Sequence, residues 1–295
     1  MQTQRPHKPQ VRVQEILEAA ESLGVVGSDA CGAPQLLAAL CSPDAGSAEV
    51  LGLMRREPAL CARVLRVANS AYYGQSRNIT SIDRALVLLG LDAVRGIAAA
   101  GCLSRTFRRG SPQSLLDLRS VLDHSLATAI AAESLARLRS PGLAADAFIA
   151  GLLHNLGIMV QMQLDLRGVE AIARLRGRLD NRDIRTLEAE HASVGHEQCI
   201  AVILDSWQLP AALIAATGHH HDPMSAPEPH RRLAAFTSLG AGLALTGGIA
   251  FTLEPQSPTC DGAAMECVGL SDADLASTAL DLPARVREFG CSLFA

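Results

Sequence analysis

The sequence predicts an all-α protein, and three observations carry that prediction. Of its 295 residues 48% are hydrophobic but only 3% aromatic, so the core must be built mainly from Ala, Leu, Val and Ile. Ala and Leu are strong helix formers, whereas the β-branched and aromatic residues that favour strands are sparse. Apolar residues also recur at helical spacing, as in Leu60, Val64 and Val67. A chain of this length can bury a large core, in one domain or two.

The elements follow in chain order. Residues 1–9 are polar and hold no apolar leader segment. An amphipathic helix is expected over 10–24, with Val11, Ile16, Leu17 and Leu23 on its apolar side. Residues 1–29 therefore read as a tail and a short helix. Ala33–Cys41 is the next helix, stopped at Ser42-Pro43-Asp44. Glu57-Pro58 opens another, because the missing N–H of proline costs nothing in the first turn. It runs into the turn Asn69-Ser70-Ala71-Tyr72-Tyr73-Gly74. Asn69, Ser70, Tyr72 and Tyr73 are candidates for an interaction loop there, with half-buried packing as the simpler reading. Ser81 is a good N-cap for a helix over Ile82–Leu89. Gly90 ends that helix, and Asp92 starts one that reaches about Phe107.

Arg108-Arg109-Gly110-Ser111-Pro112 is the clearest internal boundary. It divides a front helical bundle, 30–110, from a second helical unit, 113–246. In the second unit an Ala-rich helix is expected over 113–138, followed by an apolar helix ending at His154. Further helices are expected near 166–177, 183–206, 209–219 and 229–246. Residues 247–295 read as a C-terminal extension whose last helix starts at the Ser271 cap.

Composition excludes several functions. A net charge of −4 gives no general attraction for nucleic acid. The arginines at 174, 176, 178, 182 and 185 form a basic run, but no aromatic residues are interleaved for base stacking, so it reads as a solvated face. No apolar run reaches the roughly 20 residues that a spanning helix needs, so no membrane association is expected. The eight cysteines include no C-x-x-C pair and several lie in apolar helical patterns, which suits free thiols in a reducing cytoplasm.

Histidines are the one concentration of site chemistry. His124 lies mid-helix, His154 and Asn155 end the apolar helix, His196 lies in the long helix expected over 183–206, and His220 and His221 end the helix over 209–219. Four helices contributing imidazoles is the pattern of a bundle-core site. Taken singly, each is more simply a histidine at a helix end, where an imidazolium complements the dipole.

The order of these motifs resembles the HDOD family, which is related to the HD and HD-GYP phosphohydrolases. The resemblance spans about residues 30–246. It is carried by Glu57-Pro58-Ala59-Leu60, by Arg63 to Ala71, by Ile82-Asp83-Arg84-Ala85 and by Leu88-Leu89-Gly90. It continues through His124-Ser125, Gly151 to Gly157, Glu188 with His196, Trp207-Gln208-Leu209-Pro210 and His220-His221-Asp222-Pro223. The resemblance implies an all-α fold in which an N-terminal bundle packs on an HD-like bundle.

The departures from the catalytic relatives define the functional expectation. Asn155 stands where those enzymes have the carboxylate that bridges two metals, and their late Asp falls at Ala241. A neutral amide is a poor ligand for a second ion and cannot act as a base. The resemblance therefore implies a non-catalytic, cytoplasmic bacterial signalling module. It would act through protein partners, perform no hydrolysis, leave an oligomer open, and hold at most a small ligand in a degenerate pocket of His124, His154, Asn155, His196, His220 and His221. Cyclic di-GMP signalling enters only by association with the relatives. No cofactor is expected, and the histidines are read as a packed relic. Two alternatives stay open: an active metal phosphohydrolase, and a one-metal structural or sensing site on His124, His154 and His196. Because His220 and His221 are adjacent, a helix would turn them about 100° apart, and only one of them should face the pocket.

Overall fold

A computed structural model describes residues 11–22, 33–42, 45–74, 79–107, 116–178, 180–254 and 261–294. Among these residues the chain is helical, with no strand. The front part comprises α2 (Ala33–Cys41), α3 (Ser47–Arg55), α4 (Pro58–Ala68), α5 (Ile82–Leu89) and α6 (Leu91–Phe107), preceded by α1 (Val13–Ser22). Local chemistry sets several ends as expected. Pro58 starts α4, and the Ser81 hydroxyl accepts the Arg84 N–H at 3.2 Å to cap α5. Asn69 closes the turn after α4 by bonding Leu65 O and both backbone groups of Ile79. The boundary expected at 108–112 lies outside the described residues.

The back part is built around α7 (Leu118–Arg139), which is buried on most sides along Val121–Ala136. An Ala-rich helix can occupy that position because neighbours approach its backbone closely. α8 (Ala144–Leu153) and α13 (Arg231–Thr246) pack against it. Gly151 of α8 makes that approach: a Cβ there would lie 2.7 Å from Ala129 Cα. α9 (Leu156–Arg176) follows α8 after the two-residue turn His154-Asn155 and bends at Asp165, whose φ of −150° is not helical. α10 (Ile184–His191), α11 (His196–Ser206) and α12 (Ala211–Gly218) complete the layer.

Two expectations need correction. The single helix expected over 183–206 is two helices, broken at 192–195, because the Glu188 carboxylate accepts the His196 N–H at 3.1 Å and Gly195 takes an extended conformation as N-cap. The apolar side expected for α1 is engaged: Ile16 and Ala20 are buried where it packs on α9 and α11. The extension holds three helices rather than one last helix: α14 (Gly262–Val268), α15 (Asp272–Ala279) and α16 (Leu282–Phe294). Ser271 does cap as expected, in a reciprocal box with Asp274, but it opens α15.

α16 returns to pack on α4, α6 and α7. Arg285 donates to the Tyr72 hydroxyl at 3.2 Å and to Ser134 Oγ at 3.0 Å, and the Tyr72 ring meets Phe289 edge-on. Within the candidate interaction loop at Asn69, Ser70, Tyr72 and Tyr73, Tyr72 is thus engaged by the chain's own C-terminal helix. Pro141–Arg176 has the length and apolarity of a membrane span, but 83% of its most apolar window is buried inside the fold and the turn at His154 breaks it.

Candidate functional site

The core of the back part is lined by imidazoles. His124 projects from the buried helix α7, and His154 caps the C-terminus of α8. His196 is the first residue of α11, and His220 and His221 follow the end of α12. His124 and His154 are completely buried, and His196 and His220 are 2% exposed. The expected 100° separation of His220 and His221 does not hold. Helix α12 ends at Gly218, and the turn that follows brings both rings toward His196, at 5.1 Å each. His220 sits in the middle, its ring centroid 4.8 Å from that of His154 and 4.2 Å from that of His221. His124 follows, 5.5 Å beyond His154.

Each ring is held from behind by the same device. Nδ1 of His124 bonds Ile249 O at 2.8 Å, that of His154 bonds Gly151 O at 2.7 Å, and that of His220 bonds Thr217 O at 2.7 Å. A carbonyl can only accept, so each Nδ1 carries a proton, and the neutral rings of His154 and His220 turn the lone pair of Nε2 inward. His196 does the same with a carboxylate: its Nδ1 donates to Glu188 Oε1 at 2.7 Å. That oxygen also accepts from Gln161 Nε2 at 2.7 Å, so Glu188 is fixed by α9, α10 and α11 together. The Nε2 atoms of His196 and His220 then lie 3.3 Å apart.

The electrostatics divide the rings into two kinds. Burial holds His154, His220 and His221 well below the ordinary histidine range, reinforced by neighbouring imidazoles. Burial also opposes charge on His196, but the Glu188 carboxylate, with its hydrogen bond, and the more distant Glu197 and Glu254 overcome it and push His196 up to about 9. An imidazolium at His196 can donate to Glu188 on one side and to the Nε2 of His220 on the other. The cage thus sets a charged His196 beside the neutral rings of His154, His220 and His221.

Several buried polar atoms in the cage have no protein partner: Nε2 of His124, Nε2 of His154, Oε1 of Gln161, and both amide atoms of Asn155. Asn155 N-caps α9 without a side-chain cap bond. These positions decide what the cage can hold. A hydrolytic two-metal centre needs a carboxylate to bridge its ions, and the turn between α8 and α9 supplies the neutral amide of Asn155 instead. A single divalent ion fits the donor set: the coordinating nitrogens of His196, His220 and His221 lie within 4.8 Å of one another, and rings oriented by Nδ1–H bonds to carbonyl or carboxylate are arranged as metal ligands are.

Several functional residues escaped sequence reasoning. Gln161 lies seven residues beyond His154, but nothing marked it. Glu254 comes from the segment after α13; its Oε1 lies 3.9 Å from His124 Nε2, and its side chain is 8% exposed. Arg176, placed with a solvated basic face by sequence, is 3% exposed and donates to Leu253 O, Asp180 O and Arg182 O. Its neighbours do behave as a solvated face: Arg174 pairs with Glu170, Arg182 with Asp180 and Glu190, and Arg185 with Asp183 and Asp222. Outside the cage, a groove of about 800 Å³ runs between α10, α11 and α12, and Glu188 and Glu197 line its wall.

The comparisons establish the family and the fold. The model of the HDOD domain matches residues 32–223, more than half of the chain. A protein of Treponema pallidum (strain Nichols), itself uncharacterized, is 28% identical over 205 residues; the match takes in 66% of this chain but only 37% of that protein's length. An HDOD domain protein of unknown function from Geobacter sulfurreducens superposes with a TM-score of 0.71 at 21% identity, covering 94% of this chain and 98% of that one. A protein of Shewanella amazonensis SB2B, provisionally named a phosphohydrolase, gives 0.71 at 24% identity, covering 95% and 98%. At these identities the structural likeness establishes the fold alone.

Proposed function

Because the chain belongs to the HDOD domain family, we propose that it is a regulatory signalling module that does not hydrolyse phosphoesters. The observation that carries this reading is Asn155. It is fully buried at the turn between α8 and α9, where a bridging carboxylate would have to stand, and its amide can neither join two cations nor take a proton from water. Burial of the four rings supports the same reading, since a phosphoester would need access to reacting atoms that the fold covers. The module would act in the cytoplasm on protein partners, transmitting a change at the cage through the helices that share it.

The test is a hydrolysis panel. Full-length protein supplied with Mn, Fe or Mg is incubated with nucleoside monophosphates, ppGpp and cyclic di-GMP. No turnover above buffer is expected. Turnover that disappears in His154→Ala would overturn the reading.

A further inference from the structure

The groove between α10, α11 and α12 lies outside the cage but shares a wall with it. Its volume of about 800 Å³ suits a drug-sized molecule. Its lining is mostly apolar. Ala189 of α10, Ala201 of α11, and Ala211, Ile214 and Ala215 of α12 turn small or half-buried side chains into it at helical spacing.

Two carboxylates stand in the shared wall, and both spend Oε1 on the cage side. Glu188 Oε1 accepts from Gln161 Nε2 at 2.7 Å, from the His196 N–H at 3.1 Å and from His196 Nδ1 at 2.7 Å. Glu197 Oε1 accepts from the His221 N–H at 3.0 Å, with His220 Nδ1 3.4 Å away. Among the described residues no hydrogen bond reaches Oε2 of either one. The Glu188 side chain is only 5% exposed and that of Glu197 16%, so little water reaches these oxygens, and both residues line the groove. A buried acceptor left without a donor is destabilising, and a donor arriving through the groove removes that cost.

Charge decides what kind of donor fits. Glu188 is already matched by the imidazolium of His196. Glu197 has no such match. Arg185, the arginine that lines the groove, is committed to Asp183 at 2.7 Å and to Asp222 at 3.2 Å. Burial raises the Glu197 carboxyl above its ordinary range, and the Glu188 carboxylate adds to the shift, so the ionised form is short of positive charge.

We propose that the groove binds a small organic cation, whose ammonium or guanidinium head donates to Glu197 Oε2, with Glu188 Oε2 as a second acceptor, and whose apolar body lies on Ala201, Ala211, Ile214 and Ala215. Either head carries several donors and one positive charge, which answers both deficits at once. Binding reaches the cage through a single carboxylate, because the other oxygen of Glu197 holds the His221 N–H. The binding itself stands apart from the regulatory reading. Only its use as an input rests on that reading, which the hydrolysis panel tests separately.

The experiment uses the full chain with isotope labels on its alanine methyls and backbone amides. It is titrated with phenethylamine, a cation at neutral pH, and with phenethyl alcohol, its uncharged counterpart. The amine should shift the methyl signals of Ala201 and Ala215 and the amide signal of His221, saturating with a Kd of about 1 mM or lower. The alcohol should bind about tenfold more weakly or worse, as should the amine to Glu197→Gln, the difference expected for one charge-assisted hydrogen bond. Glu197→Gln keeps an oxygen for the His221 N–H, and the comparison of amine with alcohol on the wild type needs no variant. Ala211→Trp fills the groove from an exposed position, leaves both carboxylates in place, and should abolish the shifts. No saturable shift with the amine would overturn the site, and shifts that persist in Ala211→Trp would overturn its location. Equal affinity for amine and alcohol, or for wild type and Glu197→Gln, would overturn recognition by charge. A His221 amide unmoved at saturation would overturn the link to the cage.

Discussion

Gly157→Ala tests whether the cage depends on close helix contact. Gly157 is the second residue of α9, and a Cβ there would lie 2.1 Å from His196 O, 2.9 Å from Ile200 N and 3.1 Å from His196 C. A carbon sits comfortably about 3.3 Å or more from a carbonyl oxygen, so α11 must retreat by roughly 1 Å. The first residue to move is His196, whose bond to Glu188 is 2.7 Å long and whose contact with His220 is 3.3 Å. Overpacking of this kind costs about 1–3 kcal/mol. Weakening a hydrogen bond to a charged group adds about 1.5–3 kcal/mol. The better helix propensity of Ala returns about 1 kcal/mol. The net loss is about 1.5–5 kcal/mol. At roughly 2–4 °C per kcal/mol for a domain of this size, thermal melting followed by circular dichroism should show a fall of about 3–20 °C. Gly52→Ala in α3 is the control: no atom lies within 4 Å of its Cβ, so it should gain up to about 1 kcal/mol from propensity alone. If Gly157→Ala melts with the wild type, the helices are not in the contact described and the positioning of His196 does not rest on it.

Other predictions follow from the same residues. In metal-free protein, His154 and His220 have folded-state pKa values below the ordinary value near 6.5, so the unfolded chain binds more protons and stability is lost as pH falls below about 6.5. Each contributes up to about 1.4 kcal/mol per pH unit, and urea midpoints at pH 5.5 should lie clearly below those at pH 7.5. His196 runs the other way. Its contribution is fully present below pH 6.5 and is lost as pH rises through about 9, so midpoints should also drop between pH 7.5 and 9.5. A pH-independent midpoint would contradict both assignments. Asn155→Asp adds a carboxylate among the imidazoles and should give a melting temperature that rises with added metal more than that of the wild type, still without hydrolysis because Ala241 remains. Arg285→Ala removes the bonds to Tyr72 and Ser134 and should cost about 1–2 kcal/mol in a urea titration; no change would show that α16 is held by packing alone.

What the sequence revealed depended on whether the cause was local. Pro58, Ser81 and Ser271 act on their own first turns, so the starts of α4, α5 and α15 could be read directly. The break at 192–195 could not, because it is stabilised by Glu188 reaching across to the His196 N–H, and only Gly195 hinted at it. His124, His154 and His196 were legible as candidates because they follow the family's motif order. The convergence of His220 and His221 was hidden by the assumption that α12 continues through them, whereas the chain leaves the helix at Gly218. Glu254 was illegible for a different reason. The late carboxylate was expected on the helix at Ala241, whereas the residue near His124 comes from residues 249–254 beyond that helix, where Ile249 O accepts from His124 and Leu253 O from Arg176.

The account's central claim is that a buried Asn155 leaves room for one ion and no bridge to a second. The electron paramagnetic resonance spectrum of protein loaded with excess Mn²⁺ and then desalted tests it most directly. A mononuclear six-line signal, with no more than one Mn²⁺ per chain, is predicted. An exchange-coupled multiline signal from a pair of Mn²⁺ ions, lost in His154→Ala, would contradict it.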